Sequence, residues 1–184
     1  FKNNKIIVSI GRLTRQKNFS ELLDGYNLFQ KKLKREGIEN KYYLFILGSG
    51  EDINKLESLK SFKNIVNLQF LGFQKNPFNI LKHADLYISS SLWEDPGHTL
   101  IEASALRVPI ITSKCESGPI EFYNNDNSMT YNCHNAIELS EHIYNHFINK
   151  NYTSDDLDTK LSNGKKLSQK FTKESYYNDL QRYI

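Results

Sequence analysis

The sequence predicts an α/β fold, a doubly wound parallel sheet of about six strands with helices on both faces. Short apolar runs alternate regularly with longer amphipathic segments, which is typical of parallel strands joined by helical crossovers. The runs end at turn-forming residues, as at Gly48-Ser49-Gly50. The length of 184 residues also suits one domain of this class.

Each element follows from its local pattern. Strands are predicted at 5–10, 42–47, 65–71, 86–89, 109–112 and 129–131. Helices are predicted at 18–36, over about a dozen residues after Gly50, and at 77–82, 96–106, 119–123, 135–149, 154–169 and 171–184. Asn18 is a residue type that caps a helix start. Residues 1–150 are expected to form the compact domain and 151–184 a C-terminal helical segment. The polar stretch 149–164 is expected to be the loosest segment of the chain, and it could separate the compact domain from a C-terminal helix.

The composition, 39% hydrophobic and 24% charged, is that of a soluble globular protein. No apolar run approaches the length of a membrane span, and no signal peptide is visible. The net charge of +3 favours acidic ligands only mildly, and no nucleic-acid partner is predicted. Cys115 and Cys133 form no C-x-x-C motif, so a reduced cytoplasmic compartment is expected. Because a strand follows Phe1 almost at once, we interpret the chain as a fragment of a longer polypeptide.

Glu94 and Glu102 are separated by seven residues and straddle the start of the helix after the fourth strand. In an open α/β sheet, ligands bind at the carboxyl ends of the strands. Since ionised carboxylates only accept hydrogen bonds, two of them there predict a ligand rich in hydroxyl groups. The alternative for Glu94 is ordinary loop surface, with Asp95 as the helix cap and Pro96 at the first helical position.

The helix that carries Glu102 is apolar nearly all round, so this carboxylate is expected to be largely buried and to need a partner. The partner could be a ligand hydroxyl, which we favour, a backbone amide or a basic residue. His98 lies one turn earlier on the same face. It could donate a hydrogen bond to a phosphate or a sugar, or be a plain polar residue of the first turn.

The loop between the first strand and the first helix carries two cations. Gly11 permits a tight turn, and the helix N-terminus offers amides and a positive dipole. Arg12 adds a planar fork suited to phosphate oxygens, and Lys17 adds a mobile point charge. The loop is therefore predicted to clamp a diphosphate, and the alternative is a solvated basic loop.

Two other patterns argue against further sites. Gly48 and Gly50 resemble the start of a dinucleotide-binding fingerprint, but Ile53 stands where its third glycine belongs. His142 and His146 have a spacing that permits metal binding on a helix, yet no third ligand is evident nearby. A solvated helix face is the favoured interpretation, and no metal site is predicted.

In order and spacing these pieces resemble the donor-binding C-terminal domain of a GT-B glycosyltransferase, in family 4 (glycosyltransferase group 1), whose fold is Rossmann-like. The matching segments extend to about residue 149. They are Gly11-Arg12-Leu13, Lys17-Asn18, Gly48-Ser49-Gly50, Phe70-Leu71-Gly72-Phe73, Ala84-Asp85-Leu86, the E-x7-E signature from Glu94 to Glu102, residues 103–109 and Ser117-Gly118-Pro119-Ile120-Glu121.

The resemblance implies a retaining hexosyltransferase that uses a UDP- or GDP-linked sugar without a metal or other cofactor. Arg12 and Lys17 would hold the diphosphate, Glu94 would contact the transferred sugar, and these three are the implied catalytic residues. Glu102 would accept hydrogen bonds from the ribose. The remaining implied donor-binding residues are Gly11, Gly72, Phe73, Gly97, His98, Thr99 and Leu100. Backbone amides near His98, Thr99 and Leu100 would face the distal phosphate and sugar, and the Gly72-Phe73-Gln74 loop would border the base.

The resemblance also implies partners. The glycan or lipid-linked acceptor and any catalytic base would belong largely to a missing N-terminal domain, against which 151–184 would pack back or cross over. The fragment is therefore predicted to bind donor without transferring sugar, and the full enzyme to work in the cytoplasm at the inner membrane surface, in polysaccharide biosynthesis. The alternatives are another GT-B enzyme, such as a sugar-nucleotide epimerase or a phosphorylase, and a non-catalytic nucleotide-binding module.

The sequence departs from the family pattern at two places. Asp95 and Pro96 replace the usual glycine and aromatic residue after the first glutamate, which alters the loop that touches the sugar. Arg107 replaces a glycine before the fifth strand. If that position needs a left-handed backbone, the substitution costs about 1 kcal/mol.

Overall fold

A computed structural model describes residues 4–95, 97–149 and 154–175. Its centre is a six-stranded sheet in the order β3-β2-β1-β4-β5-β6, in which every pair of neighbours is parallel. The strands are β1 Lys5–Ile10, β2 Tyr42–Leu47, β3 Leu68–Gly72, β4 Leu86–Ser89, β5 Ile110–Ser113 and β6 Met129–Tyr131. The predicted parallel sheet is confirmed.

Helices cover both faces of this sheet, as predicted. They are α1 Phe19–Arg35, α2 Ile53–Phe62, α3 Phe78–Leu81, α4 His98–Ala105, α5 Pro119–Phe122, α6 Ala136–Tyr144 and α7 Ser154–Ser168. Residues of α1, α2 and α6 form one core with Ile7 of β1, and residues of α3, α4 and α7 form a second core with Val8. Adjacent residues of one strand thus pack into the cores on opposite faces of the sheet, because side chains alternate across a sheet.

Helices α1 and α6 of the first core meet at a glycine. A Cβ atom at Gly25 of α1 would lie 2.7 Å from Leu139 Cδ2 of α6, so a larger residue would push these helices apart. The helix predicted at 135–149 changes geometry along its length. It is α-helical to Tyr144 and continues as a π-helical turn over Asn145–Asn149.

The third strand begins later than predicted. Ile65 was expected to open it, but its amide donates to Lys60 O at 3.0 Å and closes the end of α2. Asn64 and Asn67 adopt left-handed backbones, with φ of 52° and 53°, which bends the chain before β3. The predicted strand start therefore falls in the α2–β3 turn.

The expectation that 149–164 is the loosest stretch is wrong over 154–164, which belongs to α7. This helix packs on α4, and a Cβ atom at the buried Gly164 would lie 3.4 Å from Ser104 Oγ. The helix predicted at 171–184 lies mostly outside the described residues. Its first residue, Phe171, closes a 3-10 turn and packs edge-on against Phe122, with ring centroids 5.2 Å apart.

The sheet reverses its strand order between β1 and β4. The chain builds outward from β1 to β3, then returns through α3 so that β4 pairs with the other edge of β1. Such a switch point leaves a crevice at the carboxyl ends of the strands. Over the described ranges, no helix combines the length and apolarity needed to cross a membrane.

Candidate functional site

A cavity of about 280 Å³ opens at the carboxyl ends of β1, β2 and β3, beside the start of α4. It is lined by Ile10, Gly11, Arg12, Leu47, Gly48, Ser49, Phe73, Gln74, Pro77, Thr99 and Glu102. Five of the predicted donor-binding residues are in this lining: Gly11, Arg12, Phe73, Thr99 and Glu102. Segments far apart in sequence thus meet at the edge of the sheet where the crevice was expected.

Glycine is needed where the loops after β1 and β2 touch. Gly48 has φ 134°, and a Cβ atom there would lie 1.9 Å from Gly11 O. A Cβ atom at Gly50 would lie 2.3 Å from Leu13 O. The loops are also joined by a hydrogen bond from Leu13 N to Ser49 O at 3.0 Å. The Gly48-Ser49-Gly50 segment is therefore the expected strand-to-helix turn, and it fixes the position of the Arg12 loop.

Lys17 and Glu94 form an ion pair next to this cavity. Lys17 ends a 3-10 turn over Arg15–Lys17, and its stem lies on Gly11, where a Cβ atom would be 3.0 Å from Lys17 Cδ. Its ammonium group contacts a Glu94 carboxylate oxygen, and the two side chains are 16% and 8% exposed. Glu94 is buried, so its interpretation as ordinary loop surface is wrong.

Three serines that the sequence reasoning missed support this ion pair. Ser91 Oγ donates to Glu94 Oε1 at 2.6 Å, and Ser117 Oγ donates to Glu94 O at 2.9 Å. Ser90 Oγ donates to Lys17 O at 2.8 Å. The run of three serines at the end of β4, directly before the Glu94 loop, is a signal that could have indicated the support from this strand.

The start of α4 differs from the start that the alternative for Glu94 required. Gly97, with φ 85°, occupies the cap position instead of Asp95, and the helix begins at His98. Leu100 buries its side chain, and its amide donates to Gly97 O at 2.9 Å. The first amides of a helix have no partner within it, so those of His98 and Thr99 are the better candidates for an anionic ligand.

Glu102 lines the cavity in a half-buried position. Burial raises the pKa of its carboxyl group, and the nearby His98 partly offsets this rise. Over the described residues, no side chain or amide donates a hydrogen bond to this carboxylate. Among the described residues, neither a backbone amide nor a basic side chain is thus hydrogen-bonded to Glu102.

The two histidines of α6 and its extension face different partners. His146 Nε2 lies 3.1 Å from Asp85 O, whereas His142 Nε2 lies 4.0 Å from Glu138 Oε1. Residues 4–95, 97–149 and 154–175 contain no group of three or more potential metal ligands placed to hold an ion.

Arg107 does adopt a left-handed backbone, with φ 57°. The substitution for glycine therefore leaves the local backbone shape in place. Its guanidinium group pairs with Asp158 on α7, at 2.8 Å from Nη2 to Oδ1, and so joins the turn after α4 to the C-terminal segment.

Comparison with known proteins assigns the family. The profile described as glycosyl transferases group 1 matches residues 1–167. Uncharacterized glycosyltransferase MJ1059 of Methanocaldococcus jannaschii is 40% identical over 122 residues, which are 66% of this chain and 29% of that protein. The N-acetylgalactosamine-N,N'-diacetylbacillosaminyl-diphospho-undecaprenol 4-alpha-N-acetylgalactosaminyltransferase of Campylobacter jejuni is 30% identical over 127 residues, which are 67% of this chain and 32% of that protein. The chain thus spans 29% and 32% of the lengths of these relatives.

Solved structures share the fold. A variant of S. aureus TarM in complex with fondaparinux, alpha-GlcNAc-glycerol and UDP superposes with a TM-score of 0.82 at 23% identity, over 97% of this chain and 35% of that chain. Anabaena HepE in complex with UDP gives 0.82 at 19% identity, over 98% of this chain and 48% of that chain. The family match and this shared architecture agree with the motif order, and the chain belongs to the group 1 glycosyltransferases, as the C-terminal α/β domain of their GT-B fold.

Proposed function

We propose that this chain is the donor-binding half of a retaining glycosyltransferase that uses a UDP-linked sugar. The observation that carries the proposal is the cavity at the switch point, lined by both Arg12 and the half-buried Glu102. A ligand that combines phosphates with neighbouring hydroxyls satisfies both groups. The preference for UDP is supported by the solved TarM and HepE complexes, which contain UDP.

Each group has a role that its chemistry suits. The planar fork of Arg12 binds phosphate oxygens, and Lys17, which lies beside Gly11, adds a second cation. Glu102 accepts hydrogen bonds from the ribose hydroxyls, since a carboxylate has no proton to donate. Phe73 is 75% exposed at the edge of the cavity, where the loop after β3 borders the base.

The reaction breaks the bond between the anomeric carbon and the distal phosphate, and UDP leaves with its added negative charge. Arg12 and Lys17 stabilise that charge through preorganised electrostatics. The acceptor oxygen bonds to the anomeric carbon on the face that the phosphate leaves, and the acceptor proton passes to the leaving phosphate. Glu94 contacts the transferred sugar, and its pairing with Lys17 joins the sugar site to the phosphate site. The route needs neither a metal nor a covalent enzyme intermediate.

The acceptor belongs to the whole enzyme. The name of the C. jejuni relative specifies a diphospho-undecaprenol-linked acceptor, and another relative, from Staphylococcus aureus, is named as a poly(ribitol-phosphate) alpha-N-acetylglucosaminyltransferase. We propose a glycan or lipid-linked acceptor, held mainly by an N-terminal domain, with the full enzyme in the cytoplasm at the inner membrane surface. The isolated chain then binds donor without transferring sugar.

Isothermal titration of the purified chain with UDP, GDP, ADP and uridine tests the proposal. UDP is expected to bind more tightly than uridine, because only UDP engages the cations, and more tightly than GDP or ADP. Equal affinities for UDP and uridine would refute the diphosphate site. Equal affinities for the three diphosphates would refute base selection, and steady sugar transfer by the chain alone would refute the division of labour between the domains.

A further inference from the structure

The buried side chain of Tyr87 contacts a residue that lines the cavity. Tyr87 of β4 is 1% exposed, and its hydroxyl donates to Thr99 Oγ1 at 2.8 Å. Thr99 lies in the first turn of α4 and lines the cavity together with Glu102. Both glutamates of the E-x7-E signature are close enough to Tyr87 to raise the pKa of its phenol, although burial is the larger cause. The phenol therefore lies beneath the centre of the site and stays protonated.

This contact decides which way the Thr99 hydroxyl points. A buried phenol keeps a hydrogen-bond partner, since leaving it without one is unfavourable. When Tyr87 donates to Thr99 Oγ1, the hydrogen of Thr99 must be directed elsewhere. Among the described residues, no acceptor takes it. The cavity is the space that Thr99 faces, so its hydroxyl is set to donate to a ligand there.

We propose that the Thr99 side chain donates a hydrogen bond to the diphosphate of the bound donor, and that Tyr87 is the positioning residue that orients it. The inference rests on the proposed function and goes beyond the use of backbone amides at this helix start. Phosphate oxygens only accept hydrogen bonds, which suits a hydroxyl whose own oxygen is already occupied by a donor. The hydroxyl lies at the same end of α4 as the amides of His98 and Thr99.

The test compares UDP with uridine by isothermal titration for Thr99→Val, Thr99→Ser and Tyr87→Phe. Thr99→Val keeps the shape of the side chain and is expected to weaken UDP binding by about three- to tenfold, as one neutral hydrogen bond implies. Thr99→Ser keeps the hydroxyl and should retain much more UDP affinity than Thr99→Val. Tyr87→Phe should weaken UDP binding by about two- to fivefold, and its effect should vanish in the Thr99→Val background. Uridine affinity should not change in any variant.

The matched control is Tyr123→Phe. Tyr123 is also buried and shares a hydrogen bond of 3.1 Å with a hydroxyl of the same helix, Ser104, which does not line the cavity. Loss of the Tyr123 hydroxyl should alter thermal stability but not the ratio of UDP to uridine affinity. If Tyr87→Phe does not fold, Thr99→Val and Thr99→Ser still test whether the Thr99 hydroxyl contributes to UDP binding.

Three outcomes would overturn the proposal. They are an unchanged UDP affinity in Thr99→Val, equal losses for UDP and uridine in Tyr87→Phe, and additive losses in the double variant. Failure of the proposed function is distinguishable, because the unsubstituted chain would then bind UDP no better than uridine.

Discussion

Removing either partner of the Lys17–Glu94 ion pair should lower the stability of the fold, but the two changes should have opposite effects on UDP affinity. In this structure the Glu94 carboxylate, proposed to contact the sugar, neutralises Lys17, proposed to bind the phosphates. Glu94→Gln should therefore destabilise the fold and yet tighten UDP binding, because Lys17 is released to the phosphates. Lys17→Met should destabilise the fold and weaken UDP binding. Glutamine retains an oxygen that can accept the hydrogen bond of Ser91.

Burial of the ion pair sets the expected loss of stability, and Coulomb's law sets the expected gain in UDP affinity. Breaking a fully buried pair by removing one partner costs about 3–5 kcal/mol. Since the Lys17 side chain is still 16% exposed, we expect about 2–3 kcal/mol here. If the Glu94 carboxylate and a bound phosphate are taken to lie about 8 Å apart, their charges repel by about 2 kcal/mol at an effective dielectric constant of about 20, before screening by salt. Removing the Glu94 charge should therefore tighten UDP binding by about three- to tenfold.

Urea denaturation measures the stability term, and titration calorimetry with UDP measures the binding term. The control is a second Lys–Glu pair, Lys32 and Glu141, which lies between α1 and α6 with 2.8 Å from Nζ to Oε2 and more exposed side chains. Lys32→Met and Glu141→Gln should each cost below about 1 kcal/mol and leave UDP affinity unchanged. If Glu94→Gln weakened UDP binding as much as Lys17→Met, competition between carboxylate and phosphate would be refuted.

Three further predictions test the same site. Arg12→Ala should weaken UDP binding by about tenfold or more and leave uridine binding nearly unchanged in calorimetry, because a charge-assisted hydrogen bond is worth about 1.5–3 kcal/mol; equal losses would contradict the clamp. Gly48→Ala should cost at least about 2 kcal/mol more in urea denaturation than Gly37→Ala, because both glycines have positive φ but only Gly48 faces backbone; similar losses would contradict the steric argument. The raised pKa of Glu102 means that the folded state binds its proton more tightly than the unfolded state, so the contribution of this group to stability is fully present below pH 4.5 and is lost as pH rises through the raised value. Glu102→Gln lacks this loss and should be more stable than the original chain at pH 7 but not at pH 4, and a difference independent of pH would exclude burial of the charge as its cause.

Local patterns sufficed for most of the sheet. The predicted bounds of β1, β2, β4 and β6 are the observed ones, because each run of apolar residues is closed by a polar residue or a glycine. The start of β3 was predicted wrongly because of the backbone conformation near Ile65. Ile65 is apolar and buried, but two left-handed asparagines surround it, and hydrophobicity does not report backbone φ.

The candidate site was predictable in its residue types but not in its pairings. Arg12 and Glu102 were expected at one crevice, and both line the cavity. The contact between Lys17 and Glu94 joins residues 77 positions apart. It exists because β4 returns beside β1, which no local pattern specifies. Ser117 is missed for the same reason, since its contact with the Glu94 loop depends on β5 lying beside β4.

The same adjacency explains how two opposite charges can be buried together at this site. Lys17 and Glu94 would each be unfavourable at their observed burial without the other. Because β1 and β4 are neighbours, the loops that follow them bring these charges together and neutralise them. Under the proposed function, a bound diphosphate would replace the carboxylate as the partner of Lys17, and sugar hydroxyls would replace the ammonium as the partner of Glu94. Donor binding then replaces the Lys17–Glu94 ion pair by a contact of Lys17 with phosphate and a contact of Glu94 with the sugar. Binding of the phosphate and binding of the sugar should therefore strengthen each other.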